Sequence, residues 1–211
     1  MRRRSIAAVI FDLDGTLIKS NVDFVKMKNM IIAHFRSLGV DSQDLSPSRL
    51  TFEIVQKGVE LLEGKGSEET VSNVRRQVDR IMTEVEMEQV DSVSAIPGVS
   101  ETMKWLKERG IKIGVLTRSC REYALRSLKI AGLLKLVNFV SARDDVDRPK
   151  PDPSEVITLT QKMNVKLEET LIVGDHPIDA LCAKNSNVSF IGVLTGSSGA
   201  DAFRKIGCEF I

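Results

Sequence analysis

The sequence predicts an α/β protein, a doubly wound parallel sheet with a small α-helical domain inserted into it. Three observations predict it. Short apolar runs of strand length alternate with stretches of helical periodicity, the pattern of a parallel sheet covered on both faces. Between Asn21 and about Ser94 the strand-like runs stop and only helical spacing remains. Beyond that segment the alternation resumes, and several apolar runs end on a polar residue that can carry chemistry. The expected division is a core built from residues 1–19 and 95–211, interrupted by a helical segment over 20–94.

Taken in order, Ala7, Ala8, Val9, Ile10 and Phe11 form the first buried strand, which ends at Asp12. Asp14 follows two residues later, and Gly15 lets the chain turn sharply. Within the insertion, Val22, Val25, Met30, Ile31, Phe35 and Leu38 lie on a ragged helical face stopped by Gly39. Ser46-Pro47 reads as an N-cap and first helical residue ahead of Leu50, Ile54, Val55, Val59 and Leu62, with Gly64 as the stop. Ser67, Glu68 and Glu69 suit the start of a third helix, which carries Val71, Val74, Val78, Ile81, Met82 and Val85. These stripes read as packing faces.

The core returns at Ala95-Ile96-Pro97-Gly98-Val99, followed by a helix over Glu101–Arg109 closed by Gly110. Lys112–Leu116 is a second buried strand ending at Thr117, and Ser119 with Glu122 reads as a capping box for the next helix. Val137–Val140 is a third strand. Asp152, Pro153 and Glu155 match the N-cap, N1 and N3 positions of a further helix. Thr170–Gly174 is a fourth strand ending at Asp175, then comes a helix from about Ile178 to Lys184, a fifth strand over Ser189–Leu194 and a last helix over Ala200–Ile206.

Composition narrows the function classes. The chain has 211 residues, 42% hydrophobic, with 30 basic and 29 acidic side chains, a balance that points to neither nucleic acid nor an acidic membrane surface. The basic tip Met1-Arg2-Arg3-Arg4 precedes an apolar run too short for a signal peptide, and no run is long enough to span a bilayer. Cys120, Cys182 and Cys208 are an odd, widely spaced set, which fits buried thiols in a reducing cytoplasm rather than a disulfide framework or zinc site. A cytoplasmic protein is expected, as monomer or homodimer.

Residues at the ends of parallel strands share one rim of the sheet, where open α/β folds place their sites. Asp12, Thr117 and Asp175 each follow an apolar strand, and Lys150 sits in the loop after the third strand. Asp12 and Asp14, two apart in extended chain, emerge on the same side. The set suits phosphate chemistry. A divalent cation between Asp12 and Asp175 offsets the repulsion between a carboxylate and a phosphate dianion. Hard oxygen donors without a His or Cys cluster favour Mg²⁺. Thr117 and the free N–H groups of the helix beginning near Ser119 can hold phosphate oxygens. Lys150 can stabilise developing charge. Asp12 is placed to attack, and Asp14 to exchange protons with the leaving alcohol and with water.

The string Asp12-Leu13-Asp14-Gly15-Thr16-Leu17 after an apolar strand resembles the first motif of the haloacid dehalogenase-like (HAD) superfamily. Thr117 is similar to its second motif, Lys150-Pro151 to its third, and Gly174-Asp175-His176-Pro177-Ile178-Asp179 to its acidic fourth. The resemblance covers essentially the whole chain and is greatest to the phosphoglycolate phosphatase-like branch. It implies a Rossmann-like core, a helical cap between the first two motifs, and a Mg²⁺-dependent phosphatase that works through an aspartyl phosphate. It further implies that Asp12 is nucleophile and metal ligand, that Asp14 is acid/base and lends its backbone carbonyl to the metal, and that Asp175 is a ligand with Asp179 in support. The implied partner is a small phosphorylated metabolite. Lys19 and Arg118 depart from common family residues; both bear on substrate, and Arg118 is a candidate contact for a substrate anion.

The alternative on the same scaffold is a phosphomutase or phosphotransferase. A haloalkanoate dehalogenase would not need Asp14. A receiver domain shares an Asp, a Thr and a Lys but lacks the insertion and the Asp-x-Asp-Gly-Thr string. His176 reads as a loop residue, and His34 as structural or exposed.

Overall fold

The structure is a computed structural model and describes residues 5–40, 43–63 and 68–211. The readings that rest on Met1–Arg4, Gly64 and Ser67, and on the side chains of Glu68 and Glu69, lie outside what it describes. The chain divides into two compact units, one formed by residues 1–21 and 90–211, the other by residues 22–89.

The larger unit is built on five parallel strands: β1 (Ala8–Phe11), β4 (Lys112–Leu116), β5 (Phe139–Ser141), β6 (Thr170–Gly174) and β7 (Ser189–Gly192), in the order β5-β4-β1-β6-β7. The chain lays down β1, β4 and β5 in one direction and then crosses back to place β6 and β7 on the other side of β1. With right-handed crossovers, that reversal sends the later helices to the opposite face from the earlier ones. Ala8 and Ile10 accordingly pack with Val156, Leu159 and Met163 of α6 (Ser154–Met163) and with Cys182 and Ala183 of α7 (Pro177–Asn185). Val9 and Phe11, also buried, alternate to the other side of the sheet. Helix α4 (Val99–Glu108) precedes β4, α5 (Arg121–Ile130) follows it, and α8 (Ala200–Lys205) follows β7.

One pair of strands has no apolar signature. Ile18–Lys19 (β2) and Ser94–Ala95 (β3) are antiparallel, with Ile18 opposite Ala95 and Lys19 opposite Ser94. The chain therefore leaves for the smaller unit and returns from it along adjacent backbones. A pair this short is closed by register, so the expectation of no strand up to Ser94 missed it.

The smaller unit holds three helices, α1 (Phe24–Ser37), α2 (Thr51–Glu63) and α3 (Glu68–Glu88). Their common core includes Met27, Ile31, Phe35, Ile54, Val59, Val74, Val78 and Val85. The Cβ that a side chain would add at Gly58 falls on the Phe35 ring, so the absence of a side chain there lets that ring pack. Val25 and Leu38, expected on the buried face of α1, are exposed, because Met27 and Ile32 take the positions facing the core. Helix α2 begins at Thr51, four residues beyond Pro47: the Ser46 hydroxyl is taken up in a local turn with Ser48, and Glu53 accepts from Leu50 N–H instead.

Two further caps differ from expectation. At α5 the N-cap is Cys120, whose sulfur accepts from Tyr123 N–H, since the Ser119 hydroxyl is engaged elsewhere. At α6 the N-cap is Pro153 rather than the expected Asp152, whose carboxylate still accepts from Ser154 N–H, and Glu155 turns inward, accepting from Ser141 Oγ at 2.9 Å and Lys150 N–H at 3.0 Å. Burial, which raises the Glu155 carboxyl, is offset in part by these donors. Among the described residues, no helix is long and apolar enough to cross a membrane.

Candidate active site

Register places the site. Phe11 lies opposite Val115 on one side and Val173 on the other, so the three strands run out together. Asp12, Thr117 and Asp175 follow within one residue of those ends. The next turn is tight: Leu13 O accepts from Leu17 and Ile18 N–H, and Gly15 N–H donates back to Ile18 O. Gly15 has φ +84°, and a Cβ there would stand 2.7 Å from Asp175 Oδ2. The first loop can lie against Asp175 only with glycine at that position.

Lys150 carries the connection between strands. Its Nζ, buried, donates to Asp12 Oδ1 at 2.6 Å and to Asp179 Oδ1 at 2.6 Å. Asp179 reaches inward from the first turn of α7, where its other oxygen accepts from His176 N–H at 3.1 Å. His176 is the N-cap, its Nδ1 accepting from Ile178 N–H at 3.2 Å, so its ring has a backbone role and burial lowers its pKa. Thr16 Oγ1 donates to Asp175 Oδ1 at 3.0 Å. Carboxylate oxygens of Asp12, Asp175 and Asp179 all lie within 4.8 Å of one another.

The electrostatics follow from crowding acid groups away from water. Burial lifts the Asp12 carboxyl to about 6; Lys150 pulls it down and Asp175 pushes it up. Asp175 and Asp179 are likewise raised, first by burial. For Lys150, burial alone would favour the neutral amine, but Asp12 and Asp179 outweigh it and raise its pKa. The cluster thus holds one fixed cation against three carboxylates. A net-negative, oxygen-only pocket of this kind fits a hard divalent cation.

Asp14 points to the α5 side of the rim. Ser119 Oγ donates to its Oδ2 at 3.0 Å and Tyr123 OH to its Oδ1 at 2.8 Å. Thr117 is buried, its Oγ1 accepting from Ser119 N–H at 3.1 Å. Arg118 is only partly exposed; burial and the neighbouring Arg143 cation lower its guanidinium to about 10, while Asp179, Glu155 and Asp12 act the other way. Arg143 Nη1 donates to Arg118 O at 3.0 Å. Lys19 is exposed on β2. The structure therefore brings Asp12, Lys150, Asp175 and Asp179 into direct contact or near contact, and sets Asp14 and Thr117 beside them. Sequence reasoning missed Thr16, Tyr123 and Glu155, and took Ser119 for a cap. The sequence carries a signal only for Thr16, which belongs to the Asp-x-Asp-Gly-Thr string.

The chain resembles known proteins over most of its length. A family model described as haloacid dehalogenase-like hydrolase matches residues 9–193. Pyrophosphatase PpaX of Halalkalibacterium halodurans is 30% identical, over 98% of this chain and 92% of its own length. A solved hydrolase from Pseudomonas syringae superposes with a TM-score of 0.65 at 22% identity, over 97% of this chain and 91% of that one. A predicted phosphoglycolate phosphatase from Haemophilus somnus gives a TM-score of 0.65 at 20% identity, over 98% and 93%. With the acidic rim, the strand order and these matches in agreement, the chain belongs to the haloacid dehalogenase-like hydrolase family and is an enzyme of its phosphatase type.

Proposed function

We propose that this protein is a Mg²⁺-dependent phosphatase that hydrolyses a small phosphate monoester through an aspartyl phosphate on Asp12. The observation that carries the reading is the convergence of Asp12, Asp175 and Asp179 within 4.8 Å, with Lys150 bonded to two of them. Asp12, Asp175 and Asp179, with the backbone carbonyl of Asp14, would hold the metal. The bound ion would screen the carboxylates and the phosphate dianion from each other.

The chain's own residues supply the rest. Asp12 Oδ attacks phosphorus in line, and the phosphorus–oxygen bond to the alcohol breaks. Asp14 gives a proton to the departing oxygen and then takes one from the water that hydrolyses the acyl phosphate. Lys150, fixed in its charged form, neutralises charge on Asp12 and on the transferring group. The Thr117 hydroxyl donates to a phosphate oxygen; the Arg121 and Tyr123 N–H groups that open α5, expected to be free for phosphate, are instead bound to Asp144 Oδ1 and Cys120 Sγ. Arg118 supplies a further cation for an anionic group of the substrate. The helical unit between Asp12 and Thr117 in sequence serves as the cap that selects small substrates.

The experiment is release of free phosphate from a panel of small phosphate esters and inorganic pyrophosphate, the latter included for the relative named a pyrophosphatase. Turnover should vanish with a chelator and return with Mg²⁺, without any acceptor but water. Full activity in metal-free buffer would overturn the metal assignment. Turnover that requires an added sugar or nucleotide acceptor would make the protein a phosphotransferase.

A further inference from the structure

We infer that Tyr123 and Ser119 are positioning residues that hold the Asp14 carboxylate in its proton-transfer orientation. The inference rests on the acid/base role proposed above for Asp14. An Asp side chain has two free torsions, and on a turn around Gly15 nothing in its own backbone selects one rotamer. Here each oxygen has its own donor: Tyr123 OH on Oδ1 at 2.8 Å and Ser119 Oγ on Oδ2 at 3.0 Å. Two donors from different backbone positions fix the carboxylate plane as well as its direction. Ser20 adds a third polar contact with Asp14.

The donors are themselves held. Tyr123 is fully buried in the first turn of α5, and its N–H is bound to the Cys120 sulfur that caps the helix. Ser119 is buried and its N–H is held by Thr117 Oγ1. The start of α5 thus carries the support for the proton-transfer group. Neutral donors hold the carboxylate in place without supplying a competing charge, so it can still carry the proton given to the leaving alcohol and take one from water.

The full-length protein with Mg²⁺ and p-nitrophenyl phosphate separates this from a packing role. Nitrophenolate leaves without a proton, so the first step does not need Asp14, whereas hydrolysis of the acyl phosphate does. Tyr123→Phe deletes only the hydroxyl. Its rapid burst of about one nitrophenol per site should keep its rate and amplitude, while steady-state kcat falls roughly tenfold or more, the scale of one hydrogen bond to a charged group. KM should stay within about twofold of wild type, and Ser119→Ala should behave in the same manner. In the Asp14→Asn background neither change should reduce turnover further, because both act through Asp14. A slowed or diminished burst in Tyr123→Phe, or losses that multiply in the double variants, would overturn the inference. Wild-type turnover by Asp14→Asn alone would instead remove the acid/base role itself, and that result is read without touching Tyr123.

Discussion

Replacing Lys150 with Met tests whether one buried cation holds the acidic rim together. Met keeps the length and apolar stem of the side chain but has no charge and no donor. Lys150 is 3% exposed, and its partners Asp179 and Asp12 are 2% and 13% exposed at the side chain, so none of the three is well solvated. Removing one member of a buried ion pair leaves an uncompensated charge and costs about 3–5 kcal/mol. For a protein of this size that corresponds to a fall in Tm of roughly 6–20 °C.

The loss should depend on pH in a definite sense. In the wild type the Lys150 pKa is raised above its ordinary 10.5, so its stabilisation is fully present below that value and is lost only as pH rises through the folded one. Lys150 itself therefore stays charged between about pH 5 and 8, and any pH dependence in that range comes from its carboxylate partners. In Lys150→Met, Asp12, already lifted from 3.8 to about 6, and Asp179, also raised, lose their cation and move higher. A folded state that holds protons the unfolded state has released becomes less stable as pH rises. The variant should lose more at pH 8 than at pH 5, and Mg²⁺ should restore part of the loss at pH 8. Urea denaturation at both pH values, with and without Mg²⁺, measures each term. Turnover should fall by about 10²–10³-fold, as for loss of a preorganised charge-stabilising group. A variant within about 1 kcal/mol of wild type at pH 8, or equally destabilised at both pH values, would refute the reasoning.

Two other outcomes follow from local geometry. Gly15→Ala must hold a Cβ at φ +84°, with 2.7 Å to Asp175 Oδ2 and 2.9 Å to Gly196 Cα, so it should lose about 1–3 kcal/mol and require more Mg²⁺ for half-maximal turnover; an unchanged Mg²⁺ requirement would dissociate the turn from the metal pocket. Cys120 and Cys182 are buried and burial pushes the Cys182 thiol up to about 12, so a thiol reagent at neutral pH should modify Cys208 first and the other two only on unfolding; prompt labelling of Cys182 in the native state would contradict its packing.

Short-range regularities in the sequence are enough to derive the strands, their order of appearance and the polar residues that end them. Ala8–Phe11, Lys112–Leu116 and Thr170–Gly174 are apolar beyond a polar first residue in the latter two because each is covered on both faces, and the residue after such a run falls on the rim. Asp12, Thr117 and Asp175 could therefore be placed on the rim before any coordinates. What Lys150, Asp14 and Asp179 touch could not, because those partners are chosen by contacts with no local signature. Lys150 meets Asp12 across 138 residues, Thr16 meets Asp175 across 159, and Ser119 meets Asp14 across 105. Local caps also gave way to such contacts. Ser119 and Glu155 sit where a helix start could use them, yet Ser119 donates to Asp14, and Glu155 accepts from Ser141 and from the Lys150 backbone. An exposed cap exchanges one hydrogen bond for another with water, whereas a buried carboxylate or amide without a partner loses its hydration outright. The tertiary structure therefore decided where these side chains point.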